Sequence, residues 1–362
     1  MKVLAMTMLL VIAPSVLAAE YELETVAANL TFPWSLAFLP DGELLVTERP
    51  GTLRRVSVGG KVSEPFGGVP QVYVAGQGGL FDVLLDPEFA ANQRLYLSFA
   101  GGDPERNATT VVSARLIGDR LEQVETLLEV SPVKDTPVHY GGRMAFLADG
   151  SLLLTTGDGF DYREAAQALA SELGKVLRVN RDGTVPSDNP FPKAPRVFSF
   201  GHRNPQGLAV ASDGTVYLHE HGPAGGDEIN ILVAGNNYGW PAITYGLDYS
   251  GARVSPYTEW QGMEQPILHW TPSIAPSGMT VYEADLFPEW QGDLLVGALK
   301  DKCVRRIEVR QGAVVGQETL FRELDARIRD VRTGPDGAVY LLTDEPAGRV
   351  IRAIPAAGRG SG

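Results

Sequence analysis

The chain has 362 residues, a net charge of −13 at neutral pH, and 41 glycines and 25 prolines, which indicate many turns between short strands. This acidic balance argues against duplex nucleic acid as a partner, because phosphate binding requires clustered lysine and arginine. Cys303 is the single cysteine, which excludes an intrachain disulfide and suits a small buried residue.

Residues 1–19 have the pattern of a secretory signal peptide. Lys2 precedes an apolar run at 3–12, and small residues provide a cleavage site after Ala18 or Ala19. The run is short for a bilayer span, and no later stretch is long and apolar enough to cross a membrane. The sequence therefore predicts an exported chain whose mature part has no membrane span. The alternative is an uncleaved N-terminal anchor.

A unit of strand, tight turn and strand recurs six times, and in four copies the turn is Asp-Gly, a strong hairpin signal. The copies lie at 34–47, 79–98, 142–155, 207–218, 278–296 and 330–342. A third alternating run follows each copy, and the spacing of roughly 45–70 residues is near or above that of a propeller blade. We therefore predict an all-β fold, a six-bladed β-propeller of four-stranded antiparallel blades that spans residues 20–355.

The two ends of the predicted propeller are expected to meet in one blade. The strand Tyr21–Ala27 would complete the blade that ends at Gly348–Ile354, which fastens the termini together. One short helix is predicted at Arg163–Glu172, within an inserted loop. The final residues, 356–362, are expected to form a disordered tail.

Polar residues precede the first strand of several blades, where the loops of a propeller meet at one mouth of the central channel. A further cation follows the second strand of the fifth blade. These residues are Gln77, His139, Arg203, Asn204, Arg327, Arg329 and Lys300. Together the cations predict a pocket for a small polyanion with several carboxylates or phosphates. Each cation taken alone is more simply a solvated surface residue, and His139 alone suits a base and a structural histidine equally.

The stretch 219–228 contains two possible metal patterns. His219 and His221 share one strand face, but no third nitrogen or sulfur ligand has suitable spacing for zinc. The Gly-Pro loop at 222–226, followed by Asp227 and Glu228, offers backbone carbonyls and carboxylates that suit calcium. The alternative is a hairpin loop whose acids face water.

Several segments resemble one known family. They are GQGGL (76–80), HYGGR (139–143), LGKVLRVN (173–180), GHRNPQGL (201–208), EHGPAGGDEIN (220–230), NNYGWP (236–241) and GALK (297–300). Over nearly the whole mature chain they are similar to the soluble pyrroloquinoline quinone (PQQ)-dependent sugar dehydrogenases, above all the bacterial periplasmic aldose sugar dehydrogenases. The resemblance implies a six-bladed propeller, in agreement with the repeat count, and a periplasmic quinoprotein oxidoreductase.

The resemblance also implies roles for the matching positions. His139 is expected to be the general base for the anomeric hydroxyl, and Arg203 to stabilise charge on the quinone oxygen. The expected PQQ contacts are Gln77, Arg203, Asn204, Lys300, Arg327 and Arg329. The expected calcium ligands are Gly222 and Pro223 for the ion on PQQ, and Glu228 and Tyr238 for a separate structural ion. No acid directly precedes His139, so a carboxylate that fixes its tautomer would have to be Asp135 or Asp158.

The implied reaction is oxidation of an aldose at C1 to the lactone, with base-assisted hydride transfer to C5 of PQQ and calcium as Lewis acid. One alternative is a calcium-dependent propeller lactonase, which would require carboxylate side chains at the channel mouth. A second alternative is a non-catalytic propeller that binds a partner or an anionic ligand. The sequence contains no Cys-x-x-Cys-His haem motif and identifies no electron acceptor.

Overall fold

The computed structural model describes residues 20–356. The predicted signal peptide at 1–19 and residues 357–362 of the predicted tail lie outside this range. No helix between residues 20 and 356 is long and apolar enough to cross a bilayer.

Twenty-three strands make up most of the described chain. They are β1 (Tyr21–Leu30), β2 (Pro33–Phe38), β3 (Leu44–Glu48), β4 (Thr52–Val56), β5 (Leu80–Leu85), β6 (Arg94–Gly102), β7 (Asn107–Ile117), β8 (Arg120–Glu129), β9 (Met144–Phe146), β10 (Leu152–Thr155), β11 (Lys175–Val179), β12 (Val197–Phe200), β13 (Pro205–Val210), β14 (Val216–Glu220), β15 (Asp227–Ile231), β16 (Leu268–Trp270), β17 (Pro276–Val281), β18 (Leu294–Ala298), β19 (Cys303–Arg310), β20 (Ala313–Leu320), β21 (Ile328–Thr333), β22 (Val339–Thr343) and β23 (Gly348–Pro355).

The strands form six antiparallel sheets, which confirms the predicted six-bladed propeller. The first blade is the three-stranded sheet β2–β4, the second to fifth blades are β5–β8, β9–β12, β13–β16 and β17–β20, and the sixth joins β1 to β21–β23. Beyond β4 the chain forms a bridge between Val56 and Val62 and donates to β4 from the Ser63 and Phe66 N–H groups, but it forms no regular fourth strand. Pro65 and Pro70 follow, and because proline donates no ladder hydrogen bond, the outer edge of this blade stays short.

The ring closes where the first strand of the chain pairs with the last. β1 is antiparallel to β23, from the pair Tyr21↔Pro355 to the pair Leu30↔Gly348. This confirms the predicted closure. The ladder of hydrogen bonds between β1 and β23 holds the two ends of the propeller together. The single cysteine, Cys303, is buried and free, so no disulfide contributes to this closure.

The core lies between neighbouring blades. One apolar cluster, for example, packs Trp290 and Leu295 of the fifth blade against Ile328 and Leu341 of the sixth. The innermost strand of each blade faces the central channel, where buried charges replace the apolar packing. Loss of one large side chain from such a cluster typically costs about 3–5 kcal/mol, so the fit between blades holds the ring together.

Charged side chains in the central channel connect four blades. Arg332 Nη2 donates to Asp82 Oδ1 at 3.1 Å, and Ser35 Oγ donates to the same oxygen at 2.5 Å. Arg143 Nη1 lies 3.1 Å from Asp330 Oδ1. These side chains come from the first, second, third and sixth blades, so the network fixes the relative positions of their innermost strands.

The helix predicted at Arg163–Glu172 is wrong in type and length. A 3-10 helix covers only Arg163–Gln167, and further short helical turns occupy Phe89–Asn92 (α1, an α-helical turn), Pro288–Trp290 and Arg322–Leu324 (3-10). Buried Lys175 donates from Nζ to the carbonyls of Ala165, Ala166 and Leu173 at 2.8, 2.9 and 2.8 Å. The Ala165 carbonyl still accepts the Ala168 N–H at 3.0 Å, but the Ala166 carbonyl accepts from the Gly201 N–H at 3.0 Å and from Lys175, so the helical ladder stops after Gln167.

Candidate active site

A cavity of about 270 Å³ opens at the mouth of the channel, and every blade contributes to its wall. The lining residues are Trp34, Arg49, Gln77, Phe81, Tyr140, Gly141, Asn204, Gln206, His221, Ala275, Leu299, Arg327, Arg329 and Asp344. A smaller cavity of about 120 Å³ contains Asp158, Arg203, Pro223 and Trp240 among its lining residues. The segments leading into the blades therefore meet at one mouth, as the repeat pattern predicts.

His139 is held in place by contacts at its backbone. Its φ of 51° lies in the left-handed region, which residues other than glycine seldom adopt. The backbone N–H donates to Gln77 Oε1 at 2.8 Å. A Cβ atom at Gly157 would lie 2.2 Å from the His139 carbonyl oxygen, so only glycine permits the end of β10 to approach this closely.

Asp158 provides the carboxylate that the residues before His139 lack. His139 Nδ1 lies 2.6 Å from Asp158 Oδ1, whereas Asp135 accepts a hydrogen bond from the Tyr162 hydroxyl at 2.7 Å. An ionised carboxylate can only accept, so Nδ1 carries the ring proton. Nε2 is then the nitrogen with a free lone pair, as a general base requires.

The ionisation of this pair suits that assignment. Burial disfavours the charged form of Asp158, but the hydrogen bond from His139 and the positive charge of Arg203 outweigh it and lower the pKa of Asp158. The pKa of His139 is also lowered, first by burial and then by the charges of Arg203 and Lys134, against the opposing effect of Asp158. At neutral pH the pair therefore consists of a carboxylate and a neutral imidazole.

Trp240 and the backbone at Phe160 complete the hydrogen bonds to Asp158. Trp240 Nε1 donates to Asp158 Oδ2 at 2.7 Å, and the Phe160 N–H donates to Oδ1 at 2.8 Å. Oδ1 thus accepts from the Phe160 N–H in addition to the imidazole, and Oδ2 accepts from Trp240. The carboxylate is fixed in orientation, and through it the imidazole ring is fixed as well.

Arg203 is buried and lines the smaller cavity. Its Nη1 donates to the carbonyl of Gly222 at 2.8 Å and to that of His221 at 3.2 Å, and its guanidinium lies 5.3 Å from the Trp240 ring centroid. The predicted calcium ligand Gly222 therefore directs its carbonyl toward a positive charge, and Pro223 lines the smaller cavity. The Nε atom of Arg203 has no hydrogen-bond partner among residues 20–356.

Two further arginines converge on one carboxylate at the cavity wall. Arg327 Nη2 and Arg329 Nη2 lie 2.8 and 3.2 Å from Asp344 Oδ2. Burial lowers the pKa of Arg329, against the opposing effect of Asp344. The described residues offer the Arg329 Nε no hydrogen-bond acceptor, so this part of the wall has unmet donor capacity.

Arg49, which our sequence analysis missed, also lines the cavity. Its Nη1 donates to the Gly76 carbonyl at 3.1 Å, and its buried Nε is likewise without a partner in the described range. Arg49 directly follows β3, the second strand of its blade. His221 and Asp344, which also line the cavity, directly follow the second strands of their blades too. This position in the repeat would have identified Arg49 as a candidate from the sequence.

The remaining predicted contacts divide between the cavity and the surface. Gln77 and Asn204 line the larger cavity, and Asn204 Oδ1 accepts from the Gly141 N–H at 3.2 Å. Lys300 is exposed and is absent from the lining, where its neighbour Leu299 lies instead. The structure therefore gathers these predicted contacts except Lys300 around the two cavities.

An aromatic wall covers one side of the larger cavity. The ring centroids of Trp34 and Phe81 are 5.4 Å apart, and those of Phe81 and Tyr140 are 5.5 Å apart. None of the three follows from the polar motifs, because each belongs to the apolar pattern of the repeat. A wall of rings beside arginine side chains suits a flat, anionic ligand.

Glu228 and Tyr238, the predicted ligands of a structural calcium, have separate partners. Glu228 pairs with Glu220 across β14 and β15, and burial with the nearby Glu220 charge raises the pKa of Glu228 to about 8. The Tyr238 hydroxyl donates to the Ile231 carbonyl at 2.8 Å and accepts from the Val233 N–H at 2.7 Å. The phenol hydroxyl therefore forms both of these hydrogen bonds with backbone groups. The Tyr238 carbonyl is the atom of this residue that could still bind a calcium ion.

Between residues 20 and 356, no group of three or more histidine, cysteine, aspartate or glutamate side chains is arranged to hold a metal ion. The His219 ring nitrogens have no hydrogen-bond partner in that range, and His221 Nε2 lies 2.6 Å from the Pro276 carbonyl. The rejected zinc interpretation gains no support. The carboxylate cluster that a metal-dependent lactonase would require is also missing from the described residues.

The fold and the sequence match those of known proteins. The chain is 42% identical over 349 residues to aldose sugar dehydrogenase YliI of Escherichia coli (strain K12), covering 93% of this chain and 94% of the relative. It is 28% identical over 414 residues to quinoprotein glucose dehydrogenase B of Acinetobacter calcoaceticus, covering 90% and 86%. The PQQ-bound form of the aldose sugar dehydrogenase from Streptomyces coelicolor has a TM-score of 0.77 at 29% identity, covering 93% of this chain and 99% of that chain.

The model of the glucose/sorbosone dehydrogenase family matches residues 30–352, which include both cavities and every strand except most of β1 and the last three residues of β23. The chain belongs to the glucose/sorbosone dehydrogenase family.

Proposed function

We propose that this protein is a PQQ- and calcium-dependent aldose sugar dehydrogenase that oxidises aldoses at C1 to the lactone. The observation that carries the proposal is the buried His139–Asp158 pair, which lies beside cavities whose arginines have unmet hydrogen-bond donors. The names of the relatives described above support the substrate class, and one of those relatives was solved with PQQ bound.

The residues around the two cavities fit a flat tricarboxylate such as PQQ. The Nε atoms of Arg49, Arg203 and Arg329 are buried without an acceptor in the described chain, and each unmet donor of this kind costs about 1–3 kcal/mol. An anionic ligand would satisfy them, with Gln77, Asn204 and the aromatic wall completing its surroundings.

The carbonyls beside Arg203 are possible calcium ligands. The Gly222 oxygen accepts one hydrogen bond from Arg203, which leaves it a second lone pair, and neutral backbone oxygens are ligands that calcium accepts. Gly222 and Pro223 would hold the ion that accompanies the cofactor. When bound, PQQ would supply a hydride acceptor, and calcium would supply Lewis-acid activation. The separate calcium at Glu228 and Tyr238 remains part of the proposal, with the Tyr238 carbonyl as its ligand.

His139 removes the proton in this proposal. Its Nε2 lone pair takes the proton of the anomeric hydroxyl while the C1–H bond breaks, so that C1 and its oxygen become the lactone carbonyl. Asp158 keeps Nδ1 protonated and stabilises the imidazolium that forms. A base positioned in this way typically contributes about 10²–10⁴-fold to the rate.

Reconstitution tests the proposal. The purified chain with PQQ and calcium should reduce an artificial dye in the presence of aldoses. His139→Ala should retain PQQ, because it leaves Arg49, Arg203 and Arg329 unchanged, and should lose turnover. Stoichiometric PQQ binding with no activity on any aldose would reject the dehydrogenase and favour the non-catalytic binding propeller.

We also propose that the protein works in the periplasm, exported by the signal peptide at 1–19. The pattern of Lys2, the apolar run and the small residues before position 20 supports this. Fractionation of the producing cells, together with N-terminal sequencing of the mature protein, tests it. A cytoplasmic protein that starts at Met1 would contradict it. The electron acceptor is left open.

A further inference from the structure

A buried lysine lies close to His139 and has no part in the proton transfer described above. Lys134 is 3% exposed, although lysine is rarely buried to this extent. Its Nζ donates to the Thr136 carbonyl and, at 3.0 Å, to Asn107 Oδ1. The same Nζ lies 3.5 Å from the centroid of the Tyr140 ring, which is a cation–π contact. None of these three partners carries a negative charge.

Lys134 packs against both segments that carry the base and its carboxylate. Tyr140, which lies under the ammonium group, directly follows His139 in the chain. Gly159 directly follows Asp158, and a Cβ atom at Gly159 would lie 2.8 Å from Lys134 Cδ. The aliphatic part of the lysine therefore packs on the backbone next to the carboxylate, while its ammonium group packs on the residue next to the base.

The neighbouring blade holds the lysine in place. The Lys134 N–H donates to the Asn107 carbonyl, and the Lys134 carbonyl accepts from the Asn107 N–H, both at 2.8 Å. Asn107 begins β7 of the second blade, and its Oδ1 also accepts from the Tyr140 hydroxyl at 2.7 Å. Within the third blade, Thr136 Oγ1 donates to the Gly159 carbonyl at 2.7 Å. These contacts fix the position of the ammonium group relative to the imidazole.

The charge of Lys134 acts on the base. Burial lowers the pKa of Lys134 to about 7, against the opposing charges of Asp158 and Asp135. Because the pKa of His139 is lowered from 6.5, the lysine is mostly charged over the pH range in which the imidazole loses its proton. The other ionisable groups whose charge acts on His139 are Asp158, Arg203 and His221. A nearby positive charge disfavours the imidazolium form.

We propose that Lys134 is a positioning residue of the reaction, which supports the backbone beside His139 and Asp158 and by its charge disfavours the imidazolium form of the base. This inference rests on the proposed function and adds a residue to its mechanism. Lys134 lines neither of the two cavities, so it acts through His139 without touching a ligand. A lysine that only stabilised the fold would leave the proton affinity of His139 unchanged.

The test measures the pKa of His139 by NMR in the purified chain with labelled histidines, of which there are five. His139→Gln identifies the signal. We expect Lys134→Met to raise the pKa of His139 by about 0.5 or more. In the protein reconstituted with PQQ and calcium, kcat/KM at pH 5 should then fall by about threefold relative to its plateau. Lys134→Arg retains the charge and should leave the pKa of His139 near its wild-type value.

Lys175→Met is the matched control. Lys175 is also fully buried, burial likewise lowers its pKa to about 7, and its Nζ donates to backbone carbonyls. Its replacement should reduce stability without changing the pKa of His139. If Lys134→Met does not fold, Lys134→Gln, which is neutral and can still donate, has the same expected effect.

The NMR measurement requires no turnover, so it separates this inference from the proposed function. A raised pKa of His139 in a protein that oxidises no aldose would retain the effect of Lys134 on the imidazole and reject the dehydrogenase. A neutral variant at position 134 that folds with an unchanged pKa of His139 would overturn the inference. An equal rise in Lys175→Met would overturn it as well.

Discussion

The Nδ1 atom of His139 lies 2.6 Å from Oδ1 of Asp158, although 19 positions separate the two residues in the chain. The contact joins the segment leading into β9 to the segment that follows β10, the next strand of the same blade. A hairpin therefore brings the base and the carboxylate together. The pair forms wherever this blade folds correctly, before any ligand is bound.

Replacement of Asp158 by asparagine should separate the role of its charge from that of its shape. The asparagine amide could donate to Nδ1, which would move the ring proton to Nε2 and occupy the lone pair that the base needs. We expect kcat to fall by about 10²-fold or more with PQQ affinity unchanged, as measured by steady-state kinetics and cofactor titration. Asp135→Asn serves as the control, because Asp135 bonds to Tyr162 and should leave kcat unaltered.

The lowered pKa of His139 fixes the direction of the pH dependence. Burial and the charges of Arg203 and Lys134 favour the neutral ring, which is the form that can accept a proton. The kcat/KM for an aldose should therefore rise with pH through an apparent pKa below the ordinary histidine value of 6.5 and then level off. A profile that falls between pH 5 and 7 would contradict the assignment of His139 as the base.

Cofactor affinity should depend more on Arg49 than on Lys300. Arg49 lines the larger cavity with an unmet buried donor, whereas Lys300 is exposed and outside the lining. We expect Arg49→Gln to weaken PQQ binding by about tenfold or more and Lys300→Gln to change it less. Titration of the purified variants with PQQ, followed by absorbance, measures both. Arg115→Gln, on the outer part of its blade, is the control.

The charged network in the channel should matter for stability. Asp82 accepts hydrogen bonds from Ser35, Arg332 and the Met144 N–H. Asp82→Asn removes the buried negative charge that these donors face and should lower the free energy of unfolding by about 3–5 kcal/mol. Denaturant unfolding gives the value. Asp119→Asn, at a more exposed carboxylate, should have an effect within about 0.5 kcal/mol.

The sequence was sufficient for the architecture because each blade repeats the same local signals. The Asp-Gly turns and the alternating strands recur, and they predict all six blades and the pairing of β1 with β23. The short first blade and the early end of the helix at Gln167 did not follow from pattern. They depend on proline positions and on a buried lysine whose partners become visible only in three dimensions.

The candidate site was predictable only in part. The segments leading into the innermost strands identified His139, Arg203 and Arg329, because one structural position recurs in every blade. Arg49 and Asp344 directly follow the second strands of their blades. They could have been found by examining that position of every repeat in the same way. Asp158 could be named only as one of two alternatives, since the choice depends on which carboxylate the hairpin brings to the imidazole.

The pairing of β1 with β23 also determines when the ring can close during synthesis of the chain. β1 emerges from the ribosome before every other described strand, and its partner is more than three hundred residues behind it. At about 5–20 residues per second, the partner follows after roughly 15–70 s. For that time β1 has an open ladder edge, and Glu22 and Glu24 are charged residues of the kind that disfavour pairing with a wrong strand. The complete ring can therefore form only after translation has delivered almost the whole chain, so a carboxyl-terminal truncation that removes β23 leaves β1 without its partner.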